Sequence, residues 1–182
     1  VGPPYRVYFN SNRGADGSQS GSSVNHWHFQ TFPLQGHRLP PLQRLEHETV
    51  DERDGVSVRR AAAWPARHVV LEASKGRLEA LAHQLWSRFR RLNALNVAYN
   101  LEVVEVEDAG LRAYLFPRRP APDLEIPGAG SWSANFGGWE LSGDIVVPTS
   151  GILEWLRAHG RDAVRLTDAR LRDTTFALDE AG

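Results

Sequence analysis

The stretch "GSSVNHWHFQTF", Gly21 to Phe32, decides how this sequence is read. Taken as a strand whose side chains alternate between faces, it puts His26, His28 and Gln30 on one side and Trp27, Phe29 and Thr31 on the other. One face is apolar, and the other is imidazole, imidazole, amide. A strand carries two histidines on one face when they bind a metal, join a polar network, or do chemistry.

Working outward, Arg6 to Asn10 alternates and is rich in aromatic and β-branched residues, which predicts a strand; the polar run "SNRGADGSQSGSS" follows as a loop. Downstream, Pro33 to Pro41 reads as irregular, Glu46 to Gly55 ("EHETVDERDG") as a charged, solvated turn, and Val56 to Ala63 and His68 to Glu72 as two strands around Trp64-Pro65. From Gly76 the period changes. Leu78, Leu81, Ala82, Leu85, Phe89 and Leu92 recur at helical spacing. The segment "YNLEVVEVEDAGLRAYLFP" predicts a hairpin turning at Asp108 to Gly110, and Arg118 to Gly138 predicts a long surface loop. Trp139 to Val147 predicts one more strand, and Ser150 caps a short helix through Ala158. Strands joined mostly by hairpins, with helices beside them, make an α+β fold on an antiparallel sheet. With no internal repeat or linker, residues 1–182 are expected to form a single domain.

The composition narrows the function classes. At 41% hydrophobic and 24% charged, 182 residues suffice for one sizeable core. A formal charge of −1 gives no reason to expect nucleic acid or a membrane surface as partner, although Lys75 is the only lysine among 21 basic residues. The absence of cysteine removes disulfides, thiolate metal sites and a Cys nucleophile. No apolar run approaches the roughly 18 residues of a membrane span, and no signal-peptide pattern opens the chain, so a cytoplasmic location is expected. Methionine is absent even at position 1, and the first strand begins almost at once, so the chain is expected to be an N-terminally truncated piece.

Three readings of the histidine strand stay open on the residues alone. His26 and His28 can point two imidazoles at one metal ion, with His37 as a third ligand. They can be satisfied structural histidines. Or a neutral imidazole can attack a phosphoryl group and form a covalent nucleotidyl-enzyme, with a Gly/Ser loop supplying N–H groups and hydroxyls to the phosphate oxygens and Gln30 adding an amide donor.

The segment "FNSNRGADGSQSGSSVNHWHFQ", Phe9 to Gln30, resembles the active-site segment of the histidine-triad superfamily, in its galactose-1-phosphate uridylyltransferase and GDP-hexose phosphorylase branch. There an Asn-bearing strand, a Gly-x-Ser turn and His-x-His-x-Gln follow one another. "AAWPARHVVLEA" (62–73), "NVAYNLEVVEVEDAGLRAYLFPR" (96–118) and "WELSGDIVV" (139–147) are similar, in the same order, to later segments of GDP-hexose phosphorylases. The resemblance implies an antiparallel histidine-triad-like sheet with flanking helices, of which this chain is a C-terminal portion. It implies His28 as nucleophile, His26 as its neighbour in ordering the site, and Gln30 in place of the third histidine of the hydrolases. Asn10, Gly21, Ser22 and Ser23 would hold phosphate, with Arg118 as an additional candidate.

The partners so implied are a nucleotide sugar and inorganic phosphate or a sugar phosphate, with no cofactor and no metal. Self-association is expected if missing strands leave an edge unpaired. The alternatives are a histidine-triad hydrolase, in which water is the acceptor, and a non-catalytic His-x-His metal-binding domain. Two features depart from the pattern: the loop after Asn10 is long, and Trp27 stands where a smaller residue is common. Of the remaining residues, Arg118 and Arg119 read first as a solvated loop end, Asn100 as a structural hairpin residue, Glu140 falls in a segment similar to the family's last strand with no role assigned to it, and Trp64, Trp86, Trp132, Trp139 and Trp155 read as core or loop packing.

Overall fold

The computed structural model describes residues 5–12, 14–22, 28–33, 39–106, 110–133 and 135–178. In chain order its elements are β1 (Tyr5–Asn10), β2 (Phe29–Pro33), β3 (Glu48–Arg53), β4 (Val56–Arg60), β5 (Val69–Ala73), α1 (Leu78–Ala94), β6 (Tyr99–Val106), β7 (Gly110–Pro117), β8 (Leu124–Ile126), β9 (Gly130–Trp132), α2 (Gly138–Ser142) and α3 (Ser150–Asp173). Seven strands form one antiparallel sheet in the order β2-β1-β6-β7-β5-β4-β3, and β8 and β9 pair separately. The α+β architecture is the expected one.

Each face of the sheet is covered differently. Helix α1 lays Leu81 and Leu92 on Val56, Val58, Leu71, Ala113 and Leu115, because the 3.6-residue apolar period matches a sheet face built from every second strand residue. The opposite face carries Val70, Tyr114 and Phe116 and is covered by α2, α3 and the β8–β9 hairpin through Leu141, Ile152, Leu171, Ile126 and Trp132. Strand β6 is buried on both faces, Asn100 and Glu102 towards the second and Leu101 towards the first.

Several expectations are corrected here. The "charged turn" of Glu46 to Gly55 is mostly strand β3, turning at Asp54-Gly55; every β3 residue is exposed, so no apolar alternation marks it. Its charges at the outer edge of the sheet oppose pairing with another chain. The strand from Val56 ends at Arg60 rather than Ala63. The "surface loop" after Arg118 contains the β8–β9 hairpin, and Ile126, Trp132 and Phe136 are buried in the core. Trp139 to Val147 is not a strand: α2 takes its first residues, with the Glu140 carboxylate accepting from Gly137 N at 2.9 Å across the helix start. Thr149, not Ser150, caps α3 by accepting from Ile152 N at 3.2 Å, and α3 continues past Ala158 to Asp173 through a kink at Gly160. Among the described residues no helix is long and apolar enough to cross a membrane.

Candidate functional site

The site is built where β1 ends. Asn10, its last residue, stands opposite Asn100 of β6. The Asn100 amide NH2 donates to Asn10 Oδ1 at 2.6 Å and to Ser20 O at 2.5 Å. Arg118, just beyond β7, donates from Nη1 to Asn100 Oδ1 at 2.9 Å and to Phe136 O, and from Nε to Thr174 O at 3.0 Å. A guanidinium therefore fixes one asparagine, and that asparagine fixes the next. Asn10 Oδ1 also accepts from Gly138 N at 3.3 Å, so its oxygen is held by the protein and its NH2 is the group able to donate outward.

The polar run after Asn10 is tied down by its own serines. Ser11 Oγ accepts from Tyr99 N at 2.7 Å and Ser18 Oγ from Ala98 N at 2.8 Å, while Ser20 Oγ donates to Ser11 O. These three serines are buried and stitch the loop across the start of β6. The loop then reaches Gly21, whose φ is +78° and whose missing Cβ would lie 2.8 Å from Gly137 Cα. Only glycine fits that approach. Gly21 N donates to Asn135 Oδ1 at 2.6 Å, which joins the loop to the segment before α2.

Strand β2 pairs with β1 from Tyr5↔Pro33 to Tyr8↔Gln30 and Phe9↔Phe29, where the ladder ends, and His28 is the next residue beyond it. Facing residues share a side of the sheet, so Asn10 and Asn100 stand side by side with Gln30 beside Tyr8 in the next row, and the register continued by one residue would set His28 in the row of Asn10 and Asn100. Phe29 takes the other side, its ring 5.3 Å from Phe9. The strand itself begins at Phe29, leaving His28 half-buried just before it. Gly21 and Ser22 are half-buried and Gln30 is exposed; Ser23, His26 and His37 lie outside the described residues. Among the described residues no three His, Asp or Glu side chains are grouped to hold a metal ion.

Beside this row lies a buried ion pair the sequence reading did not pick out. Arg6 Nε donates to Glu102 Oε1 at 2.9 Å, Tyr8 Oη donates to the same oxygen at 3.1 Å, and Gln43 Nε2 donates there too. The Arg6 guanidinium is 4.8 Å from the Tyr8 ring centre and 4.7 Å from that of Trp139. Burial pushes the Glu102 carboxyl up to about 7 against the pull of Arg6. Burial likewise brings the Arg118 guanidinium down to about 9, so this cation is held at a desolvation cost.

Arg118 is thus not the solvated loop end it was expected to be: it is 1% exposed. Asn100, read as structural, is the central joint of the row. The signal was the polar pair Asn100 and Glu102 at alternate positions near the start of the hairpin strand, which puts amide and carboxylate on one face of a central strand.

A family model described as GDPGP1-like, C-terminal domain, matches residues 41–164. That span includes Asn100, Arg118 and α2 and begins after His28. The structure of yeast Ap4A phosphorylase Apa2 in complex with Ap4A is similar at 21% identity and a TM-score of 0.64, covering 96% of this chain and 55% of that one. The same yeast enzyme in complex with AMP gives 20% identity, a TM-score of 0.64, and 96% and 56% coverage. The likeness to these structures is one of fold, and this chain spans about half their length. No curated protein matches the sequence significantly. The family model and the fold agree with the histidine-triad branch that the sequence resembles.

Proposed function

This chain belongs to the GDPGP1-like, C-terminal domain family, and from that premise we propose that it serves nucleotidyl transfer from a nucleotide sugar or dinucleotide through a covalent nucleotidyl-histidine at His28. The observation that carries the reading is the pair Asn10 and Asn100, with His28 one residue beyond the β1–β2 ladder, anchored from behind by Arg118 and flanked by the serine-stitched loop. A ring nitrogen of neutral His28 attacks the α-phosphorus. The P–N bond forms as the P–O bond to the leaving group breaks, and that group departs with the electron pair as a phosphate anion. Such a leaving group needs no proton, which suits an amide at Gln30 in place of an acid. Inorganic phosphate then attacks the same phosphorus, the P–N bond breaks, and His28 is restored.

The other residues have supporting roles in this reading. The Asn10 NH2, Ser22 and Ser23 donate to phosphate oxygens, Gly21, whose own N–H is held by Asn135, gives the loop its close approach, and His26 orders the site. Arg118 positions Asn10 through Asn100 rather than touching phosphate.

The test is a product assay with a GDP-hexose and, separately, with Ap4A, each with and without inorganic phosphate. The expected outcome is a nucleoside diphosphate formed only when phosphate is present. Release of the nucleoside monophosphate without phosphate would replace this reading with hydrolysis, and no turnover under either condition would remove it.

A further inference from the structure

A second concentration of charge lies on the other face of the sheet. Helix α1 and the β3–β4 hairpin line an open cleft of about 1180 Å³, above the roughly 300–1,000 Å³ usual for small-molecule sites and so roomy enough for a ligand of nucleotide size. Six arginines line it against the three carboxylates of Asp51, Asp54 and Glu79, although the chain as a whole carries −1. We propose that this cleft is a separate anion site for a small organic ligand carrying two or more phosphate groups, held between Arg53 and Arg60 of the hairpin and Arg77, Arg88 and Arg91 of the helix side.

The geometry favours such a ligand. The arginines come from two walls, so one ligand with phosphates at both ends can bridge them, and guanidinium forks match phosphate oxygens. Arg88 is set in place, with Nη1 donating to Gln84 O at 2.9 Å and Gln84 Oε1 at 2.8 Å. At one end the hairpin turns through Asp54 and Gly55, both at positive φ, and the bare Gly55 lets the Arg77 side chain lie against the turn, its Nε 3.1 Å from where a Cβ would be. Burial lowers the Arg88 pKa, Arg53 adds to this and Asp51, paired with Arg53 Nε at 2.7 Å, opposes it, so a bound dianion would favour the charged form of Arg88. Val58, Val69, Ala80 and Leu178 give the cleft an apolar side for the organic part. A nucleic-acid polymer would need a basic track running beyond the cleft, and a near-neutral chain supplies no such field.

The cleft is distinct from the row at His28. It lies on the α1 face, and β4 stands five strand spacings from β2, about 24 Å at roughly 4.8 Å each.

Calorimetric titration of the full chain with inorganic pyrophosphate, and then with ADP, tests the proposal. An Asn10→Ala/His28→Asn chain should keep its pyrophosphate affinity. Arg53→Ala/Arg88→Ala, with an unchanged circular dichroism spectrum, should weaken it by about tenfold or more, as loss of two charged contacts requires. Arg91→Glu is the second variant if that pair perturbs folding, and it should weaken binding likewise. Pyrophosphate should also protect Arg88 and Arg91, but not Arg119, from phenylglyoxal. In the Asn10→Ala/His28→Asn chain, ADP should bind more tightly than pyrophosphate through the apolar side of the cleft, and equal affinities there would remove the organic part of the proposal. Unaltered affinity in the arginine variants, loss of binding in Asn10→Ala/His28→Asn, or no binding at all would overturn it.

Discussion

The two faces of the one sheet are built on opposite principles. Under α1 the core is Val56, Val58, Leu71, Leu81, Leu92, Ala113 and Leu115, apolar throughout and held by burial. Towards α2 and α3 the deeply buried groups include charged and imidazole side chains: Arg6 and Glu102 on β1 and β6, His47, His68 and Arg118 just outside strand ends, and Arg170 within α3. Each of these costs desolvation and is acceptable only where partners surround it. A fold that needed stability alone would repeat the first face on the second. The expensive face is therefore the one expected to bind, and the candidate row lies on it.

Substitutions on the two faces should separate stability from binding. The largest effect is expected for Arg118→Ala, which strips donors from Asn100 Oδ1, Phe136 O and Thr174 O in a dry environment. Urea unfolding should show a loss of about 3 to 5 kcal/mol, and nucleotide binding should fall beyond what the unfolded fraction explains, because Asn10 loses its anchor. Leu92→Ala on the apolar face leaves a cavity and should cost about 3 kcal/mol with nucleotide affinity of the folded chain unchanged. If both variants lose stability and affinity in the same proportion, the contrast between the faces is wrong.

The smallest expected effect is the pH dependence, which belongs to the polar face alone. Burial, with Arg112 adding to it, brings His47 down to about 4, and burial brings His68 down to about 4. Both are neutral in the folded chain, whereas the unfolded chain takes up their protons near 6.5, so their contribution to stability is complete above 6.5 and is lost as pH falls towards 4. Glu102 runs the other way: raised to about 7, it favours the folded state once protonated, and that contribution is lost as pH rises from about 4.5 through 7. Two histidines against one carboxyl leave a net loss of about 2 kcal/mol on acidification from pH 7 to 4.5. His68→Gln, which keeps a hydrogen-bonding group near Ala61 N, should flatten the profile in thermal melts across this range. An unflattened profile would mean that the polar face does not set the pH response.

The same contrast explains what could be read from the sequence. Helix α1 was legible from its apolar period, although Leu78 and Ala82 of that stripe are exposed and Trp86, read as packing, is exposed as well, and the β6–β7 hairpin was legible from alternation. On the polar face the rules of thumb misled. Arg118 reads as surface because arginine usually is, and only the acceptors brought to it by segments near Phe136 and Thr174 make its burial possible. Helix α2 is a single turn, too short for a period to show. Helix α3 was expected to stop at Ala158, but Gly160 kinks it without ending it. Of the proposed site, the shared face of His28 and Gln30 was an expectation from strand alternation, whereas Asn10 entered only through the family resemblance, because its place depends on a strand pairing that spacing alone does not show.

The role proposed for His28 as nucleophile can be checked by incubating the chain with a nucleotide sugar labelled at the α-phosphorus in the absence of acceptor, then mapping the label by peptide mass spectrometry. The expected result is one nucleoside monophosphate adduct on His28 that inorganic phosphate discharges as the diphosphate, and none in a folded His28→Asn chain. An adduct on another residue, an adduct that persists in His28→Asn, or no adduct while nucleotide is bound would contradict it.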